Sequence, residues 1–151
     1  TSPTSSWKET NPKDIVGQTK LPLDLVPDTI EIEVALAYLE GALKYGRYNW
    51  RISGVRSSIY RSALRRHLAK WWNGEDRDRL TKVKHLASII ACAGILLDAE
   101  LCGKLTDDRP PRAPIGRLID VELQIEHLKT LFKDYSPKQY TIADGVEDEP
   151  T

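Results

Sequence analysis

The sequence lacks the short motifs by which many enzymes are recognised. It contains no GxxxxGK[ST] phosphate loop, no GxGxxG fingerprint, no CxxC pair and no HExxH zinc motif. Its two cysteines, Cys92 and Cys102, lie ten residues apart in a helical pattern and on different faces. They are poor disulfide partners, so we expect a protein of the reducing cytoplasm. Nucleophilic catalysis by serine or cysteine has no support in these patterns.

An excess of charge of one sign is also missing. Lysine and arginine number 22, aspartate and glutamate number 22, and the formal net charge is +0. Nucleic-acid-binding domains are normally basic, so we expect no nucleic-acid partner. No apolar run is long enough to span a membrane, so we expect no membrane partner either. The remaining expectation is one ordinary globular domain of 151 residues.

Apolar residues recur at helical spacing in four segments, and no segment reads convincingly as a strand. The predicted helices are Asp28–Gly46, Ser57–Asn73, Thr81–Cys102 and Gly116–Asp134. The third is apolar nearly all round and is expected to be central. The predicted fold class is therefore all-α, a four-helix bundle. Because the first and third helices carry more apolar surface than four short helices can bury, we expect a homo-oligomer, a dimer or a tetramer.

The two ends of the chain differ from this helical body. Residues 1–27 contain prolines and a glycine and predict an extended N-terminal arm with short turns. Residues 136–151 form a tail that becomes acidic toward its end and is predicted to be disordered. The helical domain is thus expected to span residues 28–135.

Carboxylates occur where a divalent cation could be held. Glu75 and Asp78, in "GEDRD", are three residues apart, and two such groups can share a hard cation such as Mg²⁺. The alternative is that they stabilise the start of the next helix through its dipole. On the first helix Glu33 could meet a ligand from another helix, whereas Glu40 and Lys44 could simply form an exposed ion pair. Glu31 faces another side and is a reserve candidate.

Two of the three histidines, His67 and His85, lie on or beside apolar stripes. Histidines in this position are commonly interior residues with satisfied hydrogen bonds. Both are nevertheless predicted to point toward the bundle centre, near the acidic turn, where they could orient a carboxylate or hold a phosphate oxygen. His127 falls on the polar side of the last helix and is discounted.

The stretch "KYGRYNWR" (44–51) concentrates cations and aromatic rings after the first helix. Trp50 could stack on a base and Asn49 could pair with a base or sugar, while Lys44 and the arginines could reach phosphates. The alternative is a helix stop followed by a tryptophan that fills the core. Lys20, in the arm, is a further candidate cation.

Four separated blocks of the chain resemble one family. They are "NPKDIVGQTKLPLDLVP", "GALKYGRYNWR", "ALRRHLAKWWNGEDRD" and "KHLASIIACAGILLD", between about residues 11 and 100. Together they resemble the phage MazG-like dATP/dGTP diphosphohydrolases of the MazZ type, which belong to the all-α nucleoside triphosphate pyrophosphatases. The resemblance implies an enzyme that uses Mg²⁺ or Mn²⁺ to convert dATP and dGTP to dAMP and dGMP plus pyrophosphate. It also implies a role in phage synthesis of 2-aminoadenine genomes, in the host cell cytoplasm.

The resemblance implies roles for residues that match the family's motifs. Metal ligands are expected among Glu33, Glu75 and Asp78, with His67 and His85 at the catalytic centre. Substrate-binding residues are expected at Lys44, Tyr45, Asn49 and Trp50, with Lys20 added from the arm. The chain departs from the family pattern at Ser88 and Cys92, where the family has histidine and asparagine. It also lacks the EExxE motif of the wider superfamily, whose part only the acidic positions at 31–33 could play.

A second hypothesis does not involve catalysis. The second helix carries a cationic face, Arg61, Arg65, Arg66 and Lys70. With the neighbouring tryptophans, this face could belong to a helical module that binds a nucleotide or a partner helix without turning it over. An absolute requirement for a divalent cation would separate the enzyme from such a module.

Overall fold

The computed structural model describes residues 11–145, and it confirms the all-α class. The helices are α1 (Pro12–Gly17), α2 (Asp28–Tyr45), α3 (Trp50–Ser53), α4 (Ser57–Trp72), α5 (His85–Leu101) and α6 (Arg117–Leu131). Short 3₁₀ turns occur at Leu23–Leu25 and Ile142–Asp144, and two-residue strands at β1 (Val55–Arg56) and β2 (Leu105–Thr106). Within the described residues, no helix has the length and apolarity needed to cross a membrane.

The long helix α5 is the centre of the fold, as predicted. It packs against α4 along most of its length and against α2 on another side. Small residues make this possible: Ala87, Ala91 and Ala99 are all buried. Close approach by α2 is clearest at Gly94, where an added Cβ would collide with the hydroxyl of Tyr38. The small residues of α5 therefore allow α2 and α4 to pack close to its backbone.

The predicted start of α5 at Thr81 is wrong by four residues. The Asp78 carboxylate accepts the amides of Leu80 and Thr81, at 2.8 and 2.9 Å, and so closes a turn at the point where a helix was expected. Lys82 then adopts a left-handed conformation with φ of 66°. Helical geometry begins only at His85, whose amide donates to the carbonyl of Asp76 at 3.0 Å. Turn chemistry by aspartate overrides the apolar pattern here.

The strands form a parallel pair in which Val55 lies opposite Leu105 and Arg56 opposite Thr106. The pair ties the segment after α5 to the start of α4. Asp108 strengthens the connection, since its carboxylate accepts from the amide of Ser58 at 2.8 Å and from the hydroxyl of the same residue. The first turn of α4 thereby gains an acceptor for a helix-terminal amide.

Part of the predicted extended arm is helical, whereas the predicted disorder of the tail stays a prediction. Asn11 accepts from the amide of Lys13 at 2.9 Å and caps α1, whose first residue is a proline, so the arm begins with a helix. At the other end Thr141 and Asp144 form a capping box. Residues 1–10 and 146–151 lie outside the described part, including most of the predicted loose N-terminus and the last residues of the acidic tail.

Helix α6 lies at the predicted position but is not closely packed in this chain. In the described part it makes no extensive contact with α2, α4 or α5. The predicted four-helix bundle would bury the apolar residues of α6. They are instead exposed, apart from the half-buried Val121. Leu118, for example, is 64% exposed and Phe132 is 51% exposed. The homo-oligomer that would cover such surface stays a prediction.

Candidate active site

The turn between α4 and α5 forms one wall of a cavity of about 510 Å³. The lining residues are Lys70, Asn73, Glu75, Asp78, Arg79 and Leu80. Two carboxylates and two cationic side chains therefore line one cavity at the end of α4. The two predicted ligands that the chain separates by three positions are brought to the same wall.

Glu75 is held from two sides. Its Oε2 lies 2.7 Å from Nε2 of His85, and its Oε1 accepts from Nε of Arg79 at 2.8 Å. The hydrogen bond with His85 is the main reason that the pKa of Glu75 lies below its usual value, and Arg79 adds to the effect. The side chain is thus an oriented carboxylate that stays ionised at neutral pH.

Asp78 is the acceptor that closes the turn. Its Oδ1 receives the amides of Thr81 and Leu80, and these two hydrogen bonds hold the pKa of Asp78 below its ordinary value. The dipole interpretation from the sequence is therefore replaced by a more specific one, in which the carboxylate shapes the loop. The same charge still lies on the cavity wall.

His85 connects the cavity wall to the interior. Its side chain has no exposure to solvent, and it is the single buried polar residue in the described part of the chain. Its Nδ1 lies 2.9 Å from Nδ1 of His67, while its Nε2 contacts Glu75. The prediction that His67 and His85 point inward near the acidic turn is confirmed.

His67 lies on α4, half-buried, at the inner end of this connection. Burial is the largest cause of a lowered pKa for His67, followed by the neighbouring His85 and the charge of Lys70. The negative charges of Asp78 and Glu40 oppose these effects only in part. His67 is therefore neutral at neutral pH and less basic than an exposed histidine.

The donor set of the cavity suits a hard divalent cation in its chemistry. Mg²⁺ and Mn²⁺ prefer oxygen ligands, and Mg²⁺ is commonly held by one or two carboxylates together with substrate phosphates. Glu75 and Asp78 supply two such carboxylates on one wall. Among residues 11–145, no group of three or more histidine, cysteine, aspartate or glutamate side chains could by itself hold a metal ion. The fit is thus to a cation shared with a phosphate ligand.

The carboxylates of α2 are not among the residues that line this cavity. Glu40 forms an i,i+4 ion pair with Lys44 at 3.4 Å, which is the simpler alternative that the sequence offered. Glu33 is half-buried on the same helix and, within the described residues, has no hydrogen bond or ion pair. Glu31 lines a different cavity of about 860 Å³. The metal-binding role of Glu33 stays a prediction.

Trp50 is largely buried, as the core-filling alternative expects, but it also lines the cavity of about 860 Å³ beside α2, so its role toward a base stays a prediction. Its side chain is 9% exposed and packs with Val55 and Ala99. The indole Nε1 donates to Oδ2 of Asp98 at 2.6 Å. The buried part of the ring and its engaged N–H therefore contribute to the core.

Asp98 was not identified from the sequence. It accepts from Trp50 and from both Nε and Nη2 of Arg51, at 2.8 and 2.9 Å. The guanidinium of Arg51 and the indole hold the pKa of Asp98 far below its usual range. The signal available was a carboxylate that directly follows the apolar run "AGILL" on the central helix. A charge in such a helix needs a partner.

The other predicted substrate-binding residues are on the surface or near it. Tyr45 is 70% exposed at the end of α2, and Asn49 is half-buried at the start of α3. Lys20 is exposed in the segment between α1 and the 3₁₀ turn. None of these three is joined by a hydrogen bond to the acidic turn in the described structure. Their roles toward a substrate stay predictions.

Comparison with known proteins gives one match. The family described as dATP/dGTP diphosphohydrolase, N-terminal, matches residues 10–109. This span contains α1 to α5, both strands, the acidic turn and both interior histidines. Neither the curated proteins nor the solved structures gave a match. Because the matched span covers well over half of its residues, the chain belongs to the dATP/dGTP diphosphohydrolase N-terminal family.

Proposed function

We propose that the protein is a metal-dependent pyrophosphohydrolase that converts dATP and dGTP to dAMP and dGMP plus pyrophosphate. Family membership supports the diphosphohydrolase activity and the purine deoxynucleotide substrates. The observation that carries the location of the chemistry is the pairing of Glu75 and Asp78 on one cavity wall, with Lys70 beside them. A triphosphate is strongly anionic, and such a wall binds it through a cation and a lysine.

Glu75 and Asp78 would hold Mg²⁺ or Mn²⁺ in this cavity, with Glu33 as the proposed ligand from α2. When bound, the cation supplies charge neutralisation of the phosphates and Lewis-acid activation. The chain's own contribution is to keep the Glu75 carboxylate ionised and oriented, which His85 and Arg79 do by their hydrogen bonds. An ionised and oriented carboxylate would hold the cation in place, and the positive charge of the cation would stabilise the negative charge that develops on the leaving group.

Cations near the site are proposed to bind the phosphates. Lys70 lines the cavity, and Lys44 extends from α2 beside Glu40. Lys20 is the proposed contribution of the N-terminal segment. Tyr45 and Asn49 are proposed to contact the sugar or base.

The biological setting follows from the resemblance to the MazZ type. In that setting the enzyme removes dATP and supplies dGMP for synthesis of phage genomes that contain 2-aminoadenine. The protein would act in the cytoplasm of the infected host cell. This part of the proposal is tested by whether dATP and dGTP are preferred over pyrimidine deoxynucleotides.

The first prediction concerns turnover by the purified chain. Incubation with dGTP or dATP and Mn²⁺ is expected to release pyrophosphate and the monophosphate, and a chelator is expected to stop the reaction. Glu75→Gln and Asp78→Asn should each lower kcat/KM by more than the roughly 10–100-fold that substitutions in an outer ligand shell cost. Asparagine at 78 can still accept the amides of Leu80 and Thr81, so the turn is retained while the charge is lost.

The control is Glu126→Gln, which removes a carboxylate that is paired only with Lys129 on the exposed helix α6. This variant is expected to keep the wild-type rate. Release of orthophosphate, or no turnover of any deoxynucleotide, would contradict the proposal. Binding of dGTP that calorimetry shows to be independent of divalent cations and of the Glu75 charge would instead favour the non-catalytic module.

A further inference from the structure

A cavity of about 690 Å³ lies at the opposite end of α4 from the acidic turn. It is lined by the first turns of α4, the last turns of α5 and the segment 105–113. Arg61, which lines it, precedes Lys70 of the candidate active site by nine positions, about 14 Å along the helix axis. Small-molecule sites have volumes of roughly 300–1,000 Å³, so this cavity is large enough for a ligand of its own.

The apolar part of the lining suits a flat or aliphatic body. Leu64 on α4, Leu96 on α5 and Leu105 in β2 are half-buried where they line the cavity. Pro110 and Pro111 add rigid apolar surface from the segment after β2. A ring that contacts these side chains would be removed from water, which is favourable for apolar surface.

Two arginines of the cavity have no partner within residues 11–145. Arg61 on α4 and Arg112 after β2 are exposed and make no hydrogen bond or ion pair in this part of the chain. Arg109, by contrast, is bound to Asp107 through Nε at 2.8 Å and Nη2 at 2.6 Å. Two guanidinium groups are therefore available, and their planar N–H donors match the oxygens of a phosphate or a carboxylate.

The two acidic residues of the lining differ in the same way. Asp108 is engaged, since its carboxylate accepts from the amide of Ser58 at 2.8 Å and from the hydroxyl of that residue. Glu100, near the end of α5, makes no side-chain hydrogen bond within the described residues. An ionised carboxylate only accepts hydrogen bonds, so Glu100 is available to a ligand that carries N–H groups.

These groups together describe the chemistry of a ligand. It has an anionic end for the arginines, an apolar ring for the leucines and N–H donors for Glu100. A phosphate monoester carries close to two negative charges at neutral pH, which two guanidinium groups balance. Guanine offers two adjacent donors, N1–H and the 2-amino group, to one carboxylate. Adenine presents a lone pair at N1 beside its amino group, and a carboxylate repels that lone pair.

We propose that this cavity is a second nucleotide site, which binds a guanine nucleoside monophosphate. Arg61 and Arg112 hold the phosphate, the leucines contact the base, and Glu100 accepts from its N–H groups. Binding requires no divalent cation, because the guanidinium groups neutralise the phosphate. The inference does not rest on the proposed function. If both hold, the ligand is a product of the reaction, and the cavity binds it away from the acidic turn.

The site is tested by calorimetry with dGMP and the whole chain in the presence of a chelator. We expect one dGMP per chain, and we expect Arg61→Gln and Arg112→Gln each to weaken binding by about 10-fold or more, the effect of losing a charged hydrogen-bond partner. The matched control is Arg66→Gln, because Arg66 is exposed on another side of α4 and does not line the cavity. Absence of dGMP binding at millimolar concentration would overturn the inference, as would equal affinity in Arg61→Gln and the wild type.

The role of Glu100 is tested with a ligand that differs by one group. dIMP has the N1–H of dGMP but lacks the 2-amino group, so the wild type is expected to bind it about 10-fold more weakly. In Glu100→Gln, which keeps the size of the side chain and loses its charge, this difference should become smaller. Inorganic phosphate is the third probe. Binding of phosphate as tightly as dGMP would overturn the assignment of a nucleotide site.

Two further measurements separate this inference from its alternatives. Asp78→Asn, in the candidate active site, should leave dGMP binding in chelator unchanged; a loss there would place the ligand at the acidic turn and overturn the inference. Light scattering tests whether a second copy covers the cavity. A dimer that binds no dGMP and dissociates in Arg61→Gln would also overturn it. If Arg61→Gln does not fold, Arg112→Gln, outside the helices, still decides.

Failure of this inference differs from failure of the proposed function. If the chain hydrolyses no deoxynucleotide but binds dGMP through Arg61 and Arg112, the second site stands and the enzyme does not. If the chain hydrolyses dGTP but binds no dGMP in chelator, the enzyme stands and the second site does not.

Discussion

Two regions of the molecule use the same device for different ends. At the aromatic corner, Asp98 accepts from the ring nitrogen of Trp50 at 2.6 Å and from Nε of Arg51 at 2.8 Å. At the acidic turn, Glu75 is paired with the ring nitrogen of His85 at 2.7 Å and with Nε of Arg79 at 2.8 Å. Each carboxylate is thus fixed by one aromatic N–H and one guanidinium.

The difference lies in the ring. Indole has a single nitrogen that only donates, so the chain of hydrogen bonds ends at Trp50. The contacts of Asp98 with Trp50 and Arg51 therefore serve to stabilise the core. Imidazole has a second nitrogen, and through it the connection from Glu75 continues to His67. The same pair of contacts therefore stabilises the core in one place and, in the other, links the wall of a cavity to a second histidine.

The largest expected effect comes from removing the ring of the aromatic corner. Trp50→Ala should lower the free energy of unfolding by about 3–5 kcal/mol, because a buried tryptophan leaves a cavity when truncated. Chemical denaturation measures the loss. The matched control is Trp72→Ala, since Trp72 is 76% exposed and its removal should cost no more than about 0.5 kcal/mol. Equal losses in the two variants would show that Trp50 does not stabilise the core more than an exposed tryptophan does.

Removing the ring nitrogens of the buried His85 should lower the stability by less than the loss of Trp50 does. His85→Phe keeps an aromatic ring of similar size and removes the hydrogen bonds with His67 and Glu75. We expect a loss of about 1–3 kcal/mol, the usual cost of leaving a buried polar group without its partner. Chemical denaturation measures the loss. His127→Phe, on the exposed helix α6, should keep the wild-type stability; a His85→Phe variant as stable as the wild type would contradict a stabilising role for these hydrogen bonds.

The smallest effect is expected from the charge of Asp98. A carboxyl group whose pKa is lowered on folding stabilises the protein above its unfolded pKa and ceases to do so as the pH falls through the folded value. Asp98→Asn should therefore be less stable than the wild type at neutral pH, and the difference should shrink as the pH drops below 3.8. Asparagine can still accept from Trp50, which keeps the effect small.

Denaturation at a series of pH values measures this difference. Glu122→Gln, on the exposed helix α6, is the control and should match the wild type throughout. A difference between wild type and Asp98→Asn that grows toward acid would show that the carboxylate does not act through its charge.

Helical periodicity predicted most of the fold because the core depends on repeated apolar spacing. The bounds predicted for α2 and α4 agree closely with the structure, and the nearly uniform apolar character of α5 indicated its central position. The start of α5 could not be predicted, since it depends on a side-chain oxygen of Asp78 that captures two amides. Such competition leaves no periodic signal.

The site was predictable in its residue types but not in its pairings. Glu75, Asp78 and the two histidines were recognised as groups near one turn, and the structure places Glu75, His85 and His67 in direct contact. Which nitrogen faces which atom depends on three-dimensional packing, which spacing along the chain does not contain. For Trp50 the same limitation left two interpretations open, and its hydrogen bond to Asp98 on α5 could not be read from the spacing.

The small parallel pair of strands sets an order of events during folding. It joins positions near the start of α4 to positions after α5, with residues such as Ser58 and Asp108 separated by 50 in the chain. Closing so long a segment costs chain entropy before the contact returns any stability. The helices α4 and α5 are joined by residues 73–84, a much shorter connection, and should therefore associate first, whereas the strand pair should form late. A contact that forms after the rate-limiting step governs how long the native state survives rather than how fast it is reached.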